Sequence, residues 1–444
     1  MFPTTHDITP GILEPCLKVL GKLLDAGRRV LIVSERDGDT VSPERGVYVV
    51  DRATRVTPAE LVARLETELD REKDLRARGE AAYAPIREEV RAVTERVSTS
   101  WIYRYEKDLF DFDSKYITQP GNRLAIDYLE ATLRSFGYEP ELQWFEPRAR
   151  GSAEPIRTAN VLATLKGTTH PELVYVLSSH FDSNARCPGA DDNTSGVAVL
   201  LEAARVLAGH PQPATIVFAA FTGEEAGLLG SREYVRRAVE DGLKLVGALN
   251  NDMIGWCNDN RLDDTIRYSN AGIRDVQHAA AIFFSDLITY DALYYKSTDA
   301  AAYYDAFGDI VGGIGSYPVL GSPYYHQPTD LLETVNHQLV TEVTRTTVAS
   351  LMLLASSPAR LNDLAVAARR GQDLTLTWTA SPEQDVARYE VRVEGTDGSA
   401  GRSYFVERPT IQLERIPDGA RIGVRAVNAR GMNGWDWAWV TVGR

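Results

Sequence analysis

The sequence predicts an α/β protein: a mostly parallel sheet with helices on both faces, preceded by a mixed, partly helical accessory region and followed by an all-β sandwich. Three observations predict it. Apolar runs of strand length alternate with helix-period segments through residues 96–358. After residue 359 no helical period remains, and short alternating runs are split by turns. Before residue 95 lies a long stretch rich in Ala, Leu, Glu and Arg whose charges alternate in sign, as on an exposed helix. With 444 residues the chain has room for two or three such domains, each with a core of its own.

The first region, 1–95, opens with LEPCLKVLGKLLDAG, an amphipathic helix ending at Gly27, and RRVLIVSE and GVYVVDR read as short strands. The charged helix from Thr57 onward should break or kink at Pro85, whose ring clashes with the preceding turn. Nothing in this region carries chemistry, so it reads as a packing or accessory element. In 96–358, ANVLATLKG, ELVYVLSSHFDS, ATIVFAAFTGEE, LKLVGALNNDMIG and DIVGGIGSY are strands. TSGVAVLLEAARVLAGH and SREYVRRAVEDG are helices, and Thr194 or Ser195 is placed to cap the first. In a sheet of this kind ligands gather beyond the carboxyl ends of the strands. In 359–444, DLTLTWTA, ARYEVRVEG, TIQLERI, ARIGVRAVN and AWVTVGR are strands, with TDGSAG and PDGA as turns.

Composition excludes several classes. The apolar fraction of 44% and charged fraction of 25% are ordinary for a globular protein. A formal net charge of −14 argues against a nucleic-acid partner, because phosphate binding needs clustered Lys and Arg. The same acidity keeps a surface soluble and mildly favours substrates with a free positive amine. Three cysteines, Cys16, Cys187 and Cys257, do not make a disulfide scaffold. Two free thiols at Cys187 and Cys257 are expected, with a bridge between them as the alternative. No apolar stretch reaches the length of a membrane span, and no basic start followed by an apolar run marks a signal peptide.

Five segments of the middle region carry metal-capable side chains. SSHFDS places His180 and Asp182 on one side of an extended chain directly after a strand. A ligating His needs its second ring nitrogen held by an acceptor, which a nearby carboxylate provides. PGADDNTSG places Asp191 and Asp192 in a Gly-flanked turn. Alone it also fits an acidic capping turn, but adjacent buried carboxylates are costly unless a cation balances them. FTGEEAG puts Glu224 and Glu225 after an apolar strand, where two acids have no packing role: one can bind metal while the other moves a proton. LNNDMIG ends a strand with Asp252, and YYHQPTD holds His326 in a loop. Two His and three or more carboxylates without thiolate suit zinc in an open, catalytic site.

HFDS, PGADDNTSG, FTGEEAGLLGS, NNDMIG and YYHQPTD, in this order, resemble the five metal-site motifs of the co-catalytic di-zinc aminopeptidases. That family includes bacterial leucyl aminopeptidases and is related to the glutamate carboxypeptidases and glutaminyl cyclases. The resemblance covers residues 96–358. It implies a zinc-exopeptidase fold, two zinc ions, and hydrolysis of N-terminal residues from peptides with a free N-terminus. Carried over residue by residue, His180 and Asp252 are terminal ligands of one zinc, and Glu225 and His326 of the other. Asp192, three residues before Ser195, is the bridge. Glu224 matches the general base and Asp182 the partner of His180. Tyr325, with Tyr324 as the alternative, resembles a tyrosine that some members use to stabilise the tetrahedral intermediate.

One departure bears on specificity: where the family often has Ser-Asp-His, this chain has STDAAAYYDAF, with Asp299 in place and Ala300 where the His would stand. The family also implies an extracellular or periplasmic location. Other readings on the same fold are a glutaminyl cyclase, which typically uses one zinc, and a carboxypeptidase, for which Arg186 is the candidate basic group. A non-catalytic peptide-binding relative is a further alternative. In the last region the placement of Trp378 and Tyr389 resembles a fibronectin type III module, which implies a binding or spacing role.

Overall fold

The computed structural model describes residues 58–148, 154–257, 261–293, 296–315, 321–395 and 401–443, with the short pieces 32–33 and 53–54. The helix expected over 13–27, the strand expected over 46–52 and Cys16 lie outside the described residues. Strand β1 (Ile32–Val33), inside RRVLIVSE, pairs antiparallel with β2 (Ala53–Thr54). Helix α1 (Pro58–Tyr83) stops just before Pro85, and α2 (Arg87–Thr94) resumes beyond it, as expected of a ring that cannot sit inside a helix. Tyr83, Ile86, Val90 and Val93, three or four residues apart, form one buried stripe. The Tyr83 hydroxyl donates to the Ala349 carbonyl at 3.2 Å, so residues 58–94 pack into the central core.

Helices α3 (Thr99–Phe110) and α4 (Pro120–Ser135) come next. Then follow β3 (Glu141–Phe145), β4 (Thr158–Leu165), β5 (His170–His180), a turn over Ala190–Ser195, α5 (Gly196–Leu207) and β6 (Ala214–Phe221). Next come α6 (Leu229–Glu240), β7 (Lys244–Asn250), β8 (Asp263–Arg267), α7 (Ala271–Phe284), β9 (Ile288–Ala292), α8 (Ala300–Phe307), β10 (Val311–Gly312) and α9 (His337–Ser356). One six-stranded sheet has the order β10-β7-β5-β6-β4-β3. Its β10–β7, β7–β5 and β5–β6 pairings are parallel, while β6–β4 and β4–β3 are antiparallel. The sheet is therefore mixed. Residues 166–169 link β4 to β5 directly, and a connection that short cannot cross over to a parallel neighbour. The strand expected from DIVGGIGSY shrinks to Val311–Gly312.

The period of two on β5 separates the two layers of helices. Leu173, Tyr175 and Leu177 face a core completed by α3, α4, α5, α7 and α9; Val174 and Val176 face a second one formed with Tyr234 and Val235 of α6 and Ala302 and Tyr303 of α8. Helix α5 is central, with eleven of its twelve residues buried. Neither Thr194 nor Ser195 caps it. Ser195 is already helical, and its hydroxyl donates to the Asp191 carbonyl at 2.7 Å. Among the described residues no helix is long and apolar enough to cross a membrane.

The last region has two sheets, β11-β12-β15 and β14-β13-β16-β17. The strands are β11 (Ala365–Arg370), β12 (Asp373–Thr377), β13 (Val386–Glu394), β14 (Arg402–Val406), β15 (Thr410–Leu413), β16 (Arg421–Asn428) and β17 (Ala438–Thr441). Strands β11 and β14 were not among those expected. Inward residues such as Leu376, Val391 and Val424 fill the space between the sheets, and Trp378 meets Tyr389 edge-on at 5.3 Å. Residues 428–436 fasten this sandwich to the central sheet. Met432 lies in the main core, Asn428 Nδ2 donates to the Ser356 carbonyl at 3.1 Å, and Trp435 Nε1 donates to the Tyr175 hydroxyl at 2.8 Å. Trp435→Ala removes both a hydrogen bond and packing, and should cost roughly 2–4 kcal/mol, read as a lower urea midpoint in equilibrium unfolding.

Candidate metal centre

Three adjacent parallel strands, β6, β5 and β7, end on the same edge of the sheet. His180 is level with Phe221, and Ser178 with Asn250. At and just beyond these ends the sequence places His180, the last residue of β5, then Thr222–Glu225, then Asn251–Asp252. The Ala190–Ser195 turn comes back over them. Gly189 has φ 65°, and a Cβ there would lie 2.2 Å from the Asp192 carbonyl oxygen, so only glycine allows the chain to fold back so closely. His326 also has a left-handed φ of 55°, a costly conformation for a residue with a Cβ.

The side chains form two groups that share one carboxylate. His180 Nε2 lies 3.3 Å from Asp192 Oδ1 and 3.4 Å from Asp252 Oδ1. His326 Nε2 lies 3.2 Å from Asp192 Oδ2 and 3.0 Å from Glu225 Oε2. Each Asp192 oxygen thus faces a different imidazole. The Glu224 carboxylate stands with His180 and Asp252, their potential ligand atoms all within 4.8 Å of one another.

Neighbouring groups hold this arrangement. The Asp182 carboxylate accepts the Glu224 N–H at 3.1 Å and the Glu225 N–H at 3.2 Å, fixing both acids at once. One of its oxygens also lies 3.6 Å from His180 Nδ1, which meets the Asp182 backbone carbonyl at 3.0 Å. Asp191 points away from the pair and accepts the Gly255 N–H at 2.8 Å. The Tyr325 ring stacks on His326 at 3.8 Å. Burial and the charges of Asp192, Glu225, Asp252 and Glu224 push its phenol above the ordinary tyrosine range. Cys187 and Cys257 are not joined by a disulfide. Arg186 is exposed, whereas Asp299 is fully buried and neither of its oxygens has a hydrogen-bond partner. Two residues went unassigned in the sequence. Asp330 accepts the Asp191 and Asp192 N–H groups, and the buried Lys115 donates to the Pro188 and Asp113 carbonyls. A carboxylate four residues past a ligand His was the only hint of the first, and nothing marked the second.

So many buried acids are costly. Burial pushes Glu225 up to about 7 and Asp299 up to about 7, and drives Glu224 and Asp191 well above the carboxylate range. Burial also acts on Asp192, but the facing imidazoles of His180 and His326 hold it below its ordinary value. Burial lowers the His326 imidazole, but Asp192 and Glu225 outweigh it and raise it to about 10.

Zinc fits these residues. Two ligands bound at about 2.0–2.1 Å in tetrahedral geometry stand roughly 3.4 Å apart, close to the spacings seen here. Asp192 Oδ2 and Glu225 Oε1 are buried without a hydrogen-bond partner, as expected of oxygens waiting for a cation.

Residues 160–351 match the profile of Peptidase family M28. A probable zinc metalloprotease of Leptosphaeria maculans is 31% identical over 189 residues, 38% of this chain and 44% of that protein. Aminopeptidase YwaD of Bacillus subtilis is 35% identical over 182 residues, 39% of each chain. The matched stretches therefore span less than half the length of these relatives. The structure of an aminopeptidase from Aneurinibacillus sp. strain AM-1 superposes with a TM-score of 0.52 at 18% identity, covering 60% of this chain and 96% of that one, a likeness of fold. The similarity to Peptidase family M28 thus lies in the middle region of the chain.

The raised groups give the metal-free protein a definite pH response. Glu225 contributes stability fully present below its ordinary 4.5 and lost as pH rises through about 7; His326 contributes stability present below 6.5 and lost through about 10. Metal-free protein should thus lose stability from pH 5 to pH 9. Saturating zinc should stabilise it most at the alkaline end, measured as melting temperature with and without chelator.

Proposed function

We propose that the protein is a zinc-dependent aminopeptidase that removes N-terminal residues from peptides, with two zinc ions sharing Asp192. The observation that carries this reading is the Asp192 carboxylate, one oxygen toward His180 and the other toward His326. His180 and Asp252 complete one site; Glu225 and His326 complete the other. Zinc, when bound there, supplies Lewis acidity toward the scissile carbonyl and makes a water proton easier to remove.

The chain's own residues do the rest. Glu224, held by Asp182 through its backbone, takes the proton of the attacking water and returns it to the leaving amine. The Tyr325 hydroxyl, beside His326, donates a hydrogen bond to the oxygen on which negative charge develops. The buried acids around the centre favour a substrate bearing a free α-ammonium over one whose terminus is blocked. The similarity to a named aminopeptidase supports the same choice. Arg186, the candidate basic group for a substrate carboxylate, is exposed.

A mass-spectrometric digest tests this with paired peptides, one with a free N-terminus and one acetylated, each with and without chelator. Stepwise loss from the free peptide alone, stopped by chelator, is expected; cleavage that survives complete metal removal overturns it. Glu224→Gln should keep both metals yet lose about 100- to 10,000-fold in kcat, because the amide cannot accept the proton. Metal content and turnover of the purified variant check this.

A further inference from the structure

The Asp330 carboxylate is 1% exposed and is not among the side chains grouped around either imidazole. Its Oδ1 accepts the Asp191 N–H at 2.8 Å and its Oδ2 the Asp192 N–H at 3.1 Å. Its own N–H donates to the Gln327 carbonyl at 3.0 Å, closing a tight turn directly after His326. One side chain thus joins the segment that carries His326 to the segment that carries Asp192.

The turn has other anchors, but they point elsewhere. Asn193 Nδ2 donates to the Asn251 carbonyl at 3.1 Å, and Asp191 Oδ1 accepts the Gly255 N–H at 2.8 Å. Ser195 Oγ accepts the Ile254 N–H at 3.2 Å. All three tie the turn to the chain that follows β7, next to Asp252. They hold Asp192 in register with His180 and Asp252 whether or not Asp330 is present. Against His326, the only backbone bond that accompanies the Asp330 side chain among the described residues is a long one, Ala190 N–H to the Asp330 carbonyl at 3.4 Å.

We propose that Asp330 is a positioning residue that sets the spacing between His326 and Asp192, and so decides whether the second metal of the pair is held. The proposal rests on the two-metal reading above. Loss of the Asp330 carboxylate leaves the His180–Asp192–Asp252 site standing and loosens the Asp192–Glu225–His326 site. In Asp330→Asn one acceptor becomes an amide NH2 that opposes a backbone N–H, so one of the two bonds is lost and the turn moves away from His326.

The test is a cobalt(II) titration of the full chain, stripped of metal and followed by visible absorption and electron paramagnetic resonance. Wild-type protein should take two equivalents, the second coupling magnetically to the first across the shared carboxylate. D330N should take the first with wild-type affinity and the second at least tenfold more weakly, with the coupling diminished. D330E keeps both acceptors and should regain much of the second equivalent. Two wild-type equivalents in D330N, or equal weakening of both, overturns the proposal. A metal-free D330N without the wild-type circular-dichroism spectrum overturns it too, since Asp330 then serves the fold. Wild-type protein that takes fewer than two equivalents instead sinks the two-metal reading itself, a different result from two in wild type and two in D330N.

Discussion

A single carboxylate placed between two imidazoles organises this molecule. Asp192 can serve His180 with one oxygen and His326 with the other only if three parts of the chain, distant in sequence, meet within a few ångströms. The Gly189 turn, the left-handed backbone at His326 and the burial of several acids are all unfavourable in isolation. They persist because a well-packed scaffold over-determines them, and because a dication turns clustered acids from a penalty into a ligand set.

The scaffold that does this is the parallel trio β6, β5 and β7. Parallel neighbours in register end together, so residues just past each strand project on the same side of the sheet. Asp182 then performs a second alignment. By accepting two consecutive N–H groups, it fixes the Glu224–Glu225 segment relative to His180, which lies two residues before it in the chain. The acid proposed to move protons and the acid proposed to bind metal thus share one positional reference.

What the sequence revealed follows from range. Strand-end acids and histidines were legible because an apolar run that ends abruptly in charge has few packing explanations. All five candidate metal ligands do come together. The two antiparallel pairings of β4 were hidden because direction depends on connection length and neighbour choice, which periodicity does not encode. The supporting contacts were hidden for a related reason. Asp182, expected beside the His180 ring, also accepts two backbone amides; Thr194 or Ser195 was expected to cap a helix, and Ser195 bonds back to Asp191. A side chain's type limits what it can bond, but its partner depends on backbone positions dozens of residues away. Asp330 illustrates the limit: 138 residues separate it from Asp192, whose N–H it accepts.

The bond between Trp435 and Tyr175 joins the sandwich to β5, the strand that ends in His180. With Met432 in the central core and Asn428 on the end of α9, the module is bolted down rather than strung on a leash. A flexible spacer would raise the local concentration of whatever it captures and leave its orientation free. A fixed mount does the opposite. The outer face of β14-β13-β16-β17 keeps a constant bearing to the sheet edge where His180 stands.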